Sequence, residues 1–207
     1  MCGRYTLITD LSIIEDTFHV QDVDVDYRPG NNISPGQLIT AIINENKIRM
    51  VTFRWGLIPY WAKDPSIGNN MINARAESVM SKPSFSDAFK SRRCLIIADG
   101  FYEWVKLDTK KVPYHFSLKS GEAFGFAGLY ETWMSPENKP VRTCTIITTN
   151  PNDLIKPIHD RMPVIVPKDK ETLWIDPAVT DQRALTSILK PYPAEEMKIT
   201  EGFLPAP

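Results

Sequence analysis

The feature that most restricts the fold is a series of short apolar runs cut apart by turn residues. "QLITAII", "IRMVTFRW", "RRCLIIA", "FYEWVKL", "PYHFSL", "AFGFAGLYETW", "RTCTIITTN" and "RMPVIV" follow one another along the 207-residue chain. Their β-branched and aromatic content, and the alternation of Val51, Phe53 and Trp55, mark half-buried strands. They do not alternate regularly with helices, so a parallel doubly wound sheet is not expected. The fold class is α+β: a predominantly antiparallel β-sheet with a barrel-like or sandwich core and peripheral short helices. "NENK" reads as the turn between the first two strands. "LIIADGFYEW" reads as a hairpin turning at Asp99-Gly100.

Helices are few. Asp10 stands as N-cap to "LSIIEDTF", with Leu11, Ile14 and Phe18 on one face. Short helices are expected at "SFSDAFK", "KDKETLWI", "DQRALTSILK" and "PNDLIKPI", the last capped by Asn150 with Pro151 at its first position. Residues 56–78, "GLIPYWAKDPSIGNNMINARAES", have weak periodicity, and irregular stretches of this length are usually functional or disordered. Their aromatic and apolar content argues against disorder. The Pro-rich tail from Pro191 reads as extended. No linker divides the chain, and one domain over residues 1–207 is expected.

Lys and Arg number 24 against 25 Asp and Glu, a formal net charge of -1, so the total charge does not call for nucleic acid. A local basic groove remains compatible with it. The three cysteines are Cys2, Cys94 and Cys144. Cys94 and Cys144 lie within strand-like runs and read as buried small hydrophobes. The three histidines are far apart and no CxxC pair occurs, so neither a metal site nor a cofactor is expected. The start lacks the basic and apolar regions of a secretory signal, and no run approaches the roughly 18 apolar residues of a membrane helix. A monomer in the cytoplasm, or in the nucleus of a eukaryote, is expected.

Cys2 follows the initiator Met1. Removal of Met1 would leave a terminal cysteine with its α-amine and thiol on adjacent carbons. Their reference pKa values, about 7.7–8.0 and about 8.5, give both an appreciable reactive fraction near neutral pH. Such an aminothiol traps aldehydes, first as an imine and then as a five-membered thiazolidine. Other candidates are Glu103 among the aromatics of "GFYEW", a carboxyl expected to have a raised pKa, and His159 in "IHDRMP", an acid suited to neutral pH. Asn73 of "NARAES" could orient an amine or thiol. Arg4, Arg75, Arg92, Arg93 and Arg161 would bind phosphate if they converge, and Trp61 could stack a base. Taken singly, each has a plain structural reading: an incidental cysteine, a solvated charge, a core tryptophan.

In order, "CGRY", "NISPG", "WGLIPYWAKD", "NARAES", "RRCLIIADGFYEW", "AGLYETW" and "IHDRMPVIV" resemble the SRAP family, named for SOS-response-associated peptidase, from Cys2 to about Val166. The resemblance implies an abasic-site processing protein that crosslinks covalently to single-stranded DNA. It assigns Cys2 as the nucleophile and Asn73 as the group orienting it. Glu103 becomes the proton relay at the amine, and His159 the acid at the sugar ring oxygen. It also implies DNA contacts by Arg4, Arg75 and Arg161, with Thr149 near a backbone contact and Pro35 in the segment from Asn32. Ala62 stands after Trp61 where some members carry a second aromatic wedge. Two other activities stay open: a cysteine peptidase with Cys2 as nucleophile and His159 as base, and a non-covalent single-strand binding module using Trp61 and the arginines.

Overall fold

The computed structural model describes residues 2–107 and 110–203. Among the described residues, thirteen strands and four short α-helices follow one another. The strands are β1 (Tyr5–Leu7), β2 (Asp22–Asp24), β3 (Gly30–Ile33), β4 (Leu38–Asn44), β5 (Ile48–Trp55), β6 (Asn73–Arg75), β7 (Arg93–Ala98), β8 (Gly100–Leu107), β9 (Lys110–Leu118), β10 (Phe124–Met134), β11 (Pro140–Thr149), β12 (Met162–Pro163) and β13 (Met197–Glu201). The helices are α1 (Leu11–Phe18), α2 (Ser86–Ser91), α3 (Glu171–Ile175) and α4 (Gln182–Ile188).

Five strands form a closed barrel. β5, β4, β7, β10 and β11 pair antiparallel in that order, and β11 meets β5 in parallel where Thr143 and Cys144 lie opposite Arg54 and Trp55. Closure removes the exposed edges that an open sheet would present. A second sheet, wholly antiparallel, runs β13–β9–β8–β1–β3. Tyr5, Phe101 and Phe116 stand in register on its inner face and pack edge-on or stacked around Phe126 of β10. The main core lies between this sheet and the barrel, and Cys94 and Cys144 are buried in it, both free thiols.

The expected hairpin at Asp99-Gly100 does not form. β7 belongs to the barrel and β8 to the second sheet. The reason is the carboxylate of Asp99. Its Oδ1 accepts from Thr6 Oγ1 at 2.5 Å, and its Oδ2 from the Ile8 and Thr9 backbone N–H groups at 2.5 and 3.0 Å. Those bonds, with Asp99 N–H donated to Thr6 O, bind the crossing to β1 instead of to β7. Gly100 is required there because His115 lies over it: a Cβ would sit 2.1 Å from His115 Nε2 and 2.9 Å from Phe116 O.

Other expectations change at the edges. Residues 153–158 form successive turns, not a helix, and Asn152 caps them by accepting from Ile155 N. "RMPVIV" contributes only the two residues of β12 and a bridge at Ile165. The tail supplies β13, an edge strand on β9. Asp10 occupies the N-cap of α1, but its side chain makes no capping bond. The irregular loop after β5 is packed: Trp133 Nε1 donates to Ala62 O at 2.7 Å, and Ala62 is buried with Ile58 and Trp133. Among the described residues, no helix is long and apolar enough to cross a membrane.

Arg93 is the largest charged group in the interior. It is 2% exposed, and its guanidinium donates to the carbonyls of Phe89, Lys90, Trp174, Asp176 and Val179. These carbonyls lie at or beyond the C-terminal ends of α2 and α3, where a cation also meets the negative end of each helix dipole.

The crossing gives a direct test. Gly100→Ala must push His115 aside, so a loss of about 1–3 kcal/mol in stability is expected. Urea unfolding should show a lower midpoint with an unchanged slope.

Candidate functional site

Cys2 precedes β1, and β1 pairs with β8. That pairing brings Cys2 to Glu103. Both are buried, Cys2 at 0% exposure and Glu103 at 3%. Burial first, and then the negative charge of Glu103, push the Cys2 thiol far above its ordinary pKa, while the Arg4 backbone N–H opposes this weakly. With Met1 still attached, a buried position beside a carboxylate disfavours a second negative charge, so the thiol form is favoured. Burial likewise raises Glu103 to about 7, against the lowering field of the chain's amino-terminal charge.

His159 lies in the turn before β12. Its Nε2 is 3.8 Å from Glu103 Oε2. Its Nδ1 accepts the Arg161 backbone N–H at 3.0 Å. An accepting Nδ1 places the proton of the neutral ring on Nε2, the nitrogen that faces Glu103. Burial first, then the amino-terminal positive charge, hold the imidazole below its ordinary pKa. Asp160 Oδ1, 3.0 Å from Nδ1, pulls it upward.

Arg161 holds this turn in place. Its guanidinium makes a two-pronged contact with Glu77 at 2.8 and 2.9 Å and donates to Thr148 O at 2.6 Å. In this structure the guanidinium pairs with a carboxylate whose side chain is half exposed, a two-pronged geometry that suits its planar shape. Thr149 is also turned inward, its hydroxyl 3.3 Å from Leu189 O. Arg92 pairs with Glu131 at 2.9 Å and Arg93 is enclosed by carbonyls, so these two do not join a phosphate-binding set.

Asn73 opens β6, which runs parallel to β11. Its Nδ2 donates to Ile72 O, and its Oδ1 is buried without a partner. The strand is tied to β1 through Trp55: the indole N–H donates to Ile72 O at 2.9 Å, and the ring lies 5.5 Å from Tyr5. Arg75, opposite Thr148, is exposed. Arg4 donates to Asn32 Oδ1 at 2.8 Å, and Pro35 is half-buried in the turn leading to β4. Trp61 is 48% exposed beside Tyr60 at 57%, while the neighbouring Ala62 points inward.

Three elements distant in sequence therefore bring Cys2, Glu103 and His159 together, while Asn73 stands on β6, paired with β11. Asp99 and Thr6 were missed as contributors, since Asp-Gly reads as a turn. The usable signal was the change from the continuous apolar run of "CLIIA" to the mixed run of "FYEWVK". Among the described residues, no group of three acidic, Cys or His side chains could hold a metal ion.

The sequence model for SOS response associated peptidase (SRAP) matches residues 1–201. The chain belongs to the SRAP family. Abasic site processing protein YoqW of Bacillus subtilis is 50% identical over 202 residues, spanning 96% of this chain and 90% of that protein. Abasic site processing protein YoaM of the same organism is 49% identical over 202 residues, 96% of this chain and 89% of the relative. A crystal structure of a protein from Bacteroides thetaiotaomicron superposes with a TM-score of 0.86 at 26% identity, covering 97% of this chain and 91% of that one. The α+β class with a closed barrel and short helices is therefore the SRAP fold.

In this SRAP chain the His159 ring should titrate below the ordinary histidine value of about 6.5. Removing the upward pull with Asp160→Asn should lower it further. Both are read from the imidazole resonances in an NMR pH titration, and an upward shift in the variant would contradict the electrostatics described.

Proposed function

We propose that the protein processes abasic sites in single-stranded DNA by forming a covalent crosslink through Cys2 once Met1 is removed. The observation that carries this reading is the burial of Cys2 against Glu103, with His159 Nε2 facing the same carboxylate at 3.8 Å. The names of the curated relatives support it, as does the family of the chain.

The chemistry follows from these placements. An abasic sugar is mostly a closed hemiacetal, and opening it needs a proton at the ring oxygen. The imidazolium form of His159, donating from Nε2, is the acid for that step and is left as the neutral ring that burial favours. The Cys2 amine then attacks the exposed aldehyde carbon, and loss of one water leaves an imine. The thiol adds to the same carbon. A C–S bond forms, the C=N bond becomes single, and the thiol proton ends on nitrogen. Overall, one aldehyde and one aminothiol give one thiazolidine and one water.

Because burial keeps the thiol protonated, the sulfur needs a base as it adds. Glu103 is the charged neighbour of the thiol and is half ionised near pH 7. Its ionised form accepts the proton. His159 faces Glu103 and the Arg161 N–H, so the arrangement favours a carboxylate relay over a Cys–His peptidase pair. Arg75 and Arg4 would meet phosphates, with Trp61 stacking a base, and the activity would reside in one domain.

Mass spectrometry of the protein with an abasic oligonucleotide tests this. A mass gain equal to the oligonucleotide minus one water is expected, and Cys2→Ser should yield no heat-stable adduct. An unchanged stable adduct in that variant would overturn the mechanism. The trapping rate should rise with pH through about 7 as Glu103 ionises. Glu103→Gln should flatten that limb and slow trapping by roughly 10²–10⁴-fold. A variant retaining the same rising limb would show that another group supplies the base.

A further inference from the structure

Directly after Glu103, β8 and β9 leave the core. Glu103 is buried, Trp104, Val105 and Val112 are half-buried, and Lys106, Lys110 and Lys111 are exposed. The two strands therefore extend from the candidate site as an arm. Its charge is one-sided: over residues 104–113, "WVKLDTKKVP", three lysines stand against one acid, Asp108. This local excess coexists with a net charge of -1 for the chain, because the field at a surface depends on where the charges sit.

Lys106 and Lys111 stand directly opposite each other in the ladder. Side chains so placed are neighbours, and like charges there destabilise the pair. Among the described residues, the lysines that form ion pairs are Lys90, Lys168 and Lys170, so no described acid relieves this repulsion. A local rule broken without a compensating contact is expected at functional positions. Strand alternation puts the lysine pair on the same face as Tyr102 and Trp104, and Lys110 on the face of Glu103. Phe203 of the tail packs onto the first of these faces, 5.0 Å from Tyr102 and 6.3 Å from Trp104, and is itself 53% exposed. Ammonium groups beside an exposed ring suit a single nucleic acid strand, which offers phosphates to the former and bases to the latter. An acidic peptide would use only the lysines.

We propose that Lys106 and Lys111 hold backbone phosphates of the single strand outside the reaction pocket. This rests on the abasic-site reading above and adds a second contact to it. Lys106 lies three residues along β8 from Glu103, about 10 Å at the spacing of a strand. A stacked strand of DNA covers that distance in about three nucleotides. The lysines thus meet a flank of the lesion rather than the lesion itself.

The test is non-covalent binding, read by fluorescence anisotropy over a range of salt, to a labelled thymidine oligonucleotide with a central tetrahydrofuran site. That analogue of the abasic sugar has no aldehyde and does not crosslink. Lys106→Gln/Lys111→Gln should weaken binding at low salt and reduce the slope of log affinity against log salt by about 1.4, the share of two phosphate contacts on a single strand. Lys47→Gln/Lys139→Gln, the same charge change in the β4–β5 and β10–β11 turns, should leave the slope as it is. Cutting the oligonucleotide immediately beside the tetrahydrofuran on one side should abolish the difference between wild type and the arm variant. The urea midpoint of that variant should not fall, since the change removes a repulsion. An unchanged slope, an equal fall in the control, a difference that survives a cut on either side, or a lower urea midpoint overturns the proposal. Crosslinking of the wild type to a genuine abasic oligonucleotide is assayed in parallel. An adduct with no slope difference overturns the lysine contact alone. No adduct, with the slope difference intact, overturns the crosslinking reading and leaves the lysine contact standing.

Discussion

The carboxylate of Asp99 is the contact on which the arrangement depends. It takes bonds from Thr6, Ile8 and Thr9, and so binds the passage from β7 to β8 to the strand that follows Cys2. Charge-assisted hydrogen bonds of this kind are stronger than neutral ones. His115 extends the group by contacting Thr6 Oγ1 at 3.1 Å, in space that only a glycine at position 100 leaves open. With β1 held there, Cys2 is delivered to Glu103. A hairpin at this point would instead have kept β8 within the barrel and left the amino terminus without a neighbouring carboxylate.

A second principle governs the ionisable groups. Those that the interior holds charged are enclosed by compensating partners, as Arg161 is by Glu77 and Thr148 O, and Arg93 by five carbonyls. Cys2, Glu103 and His159 are different. Burial moves each towards its neutral form: thiol and carboxyl upward, imidazole downward. Perturbed groups gathered in this way are a mark of functional sites.

Most strands were legible because they are apolar runs with turn residues between them. β4, β5, β7 and β9–β11 lie where their alternation placed them. The errors share a cause. Asp99-Gly100 has the local chemistry of a hairpin turn, but long-range bonds from Thr6, Ile8 and Thr9 override it. Residues 151–158 carry a helix-like start, yet Asn152 caps single turns. β12 is only two residues long, and β13 exists because β9 offers it an edge. Thr149 and Arg161 could be named from the motifs. That both point inward depends on Leu189 and Glu77, which are distant in sequence.

The sequence by itself determined the candidate groups: Cys2 directly after Met1, a glutamate among aromatics, a histidine in an Asp-Arg turn, and enough β-forming segments to enclose them. Those are properties of residue type and local pattern. Only the tertiary structure decided their state. Whether Cys2 is a thiolate or a thiol, which nitrogen of His159 carries the proton, and whether Arg161 meets solvent or Glu77 all depend on burial and on partners brought from elsewhere in the chain. The free energy of a charge depends on its surroundings, and the surroundings of these residues exist only after the barrel has closed and β1 has been clamped beside β8.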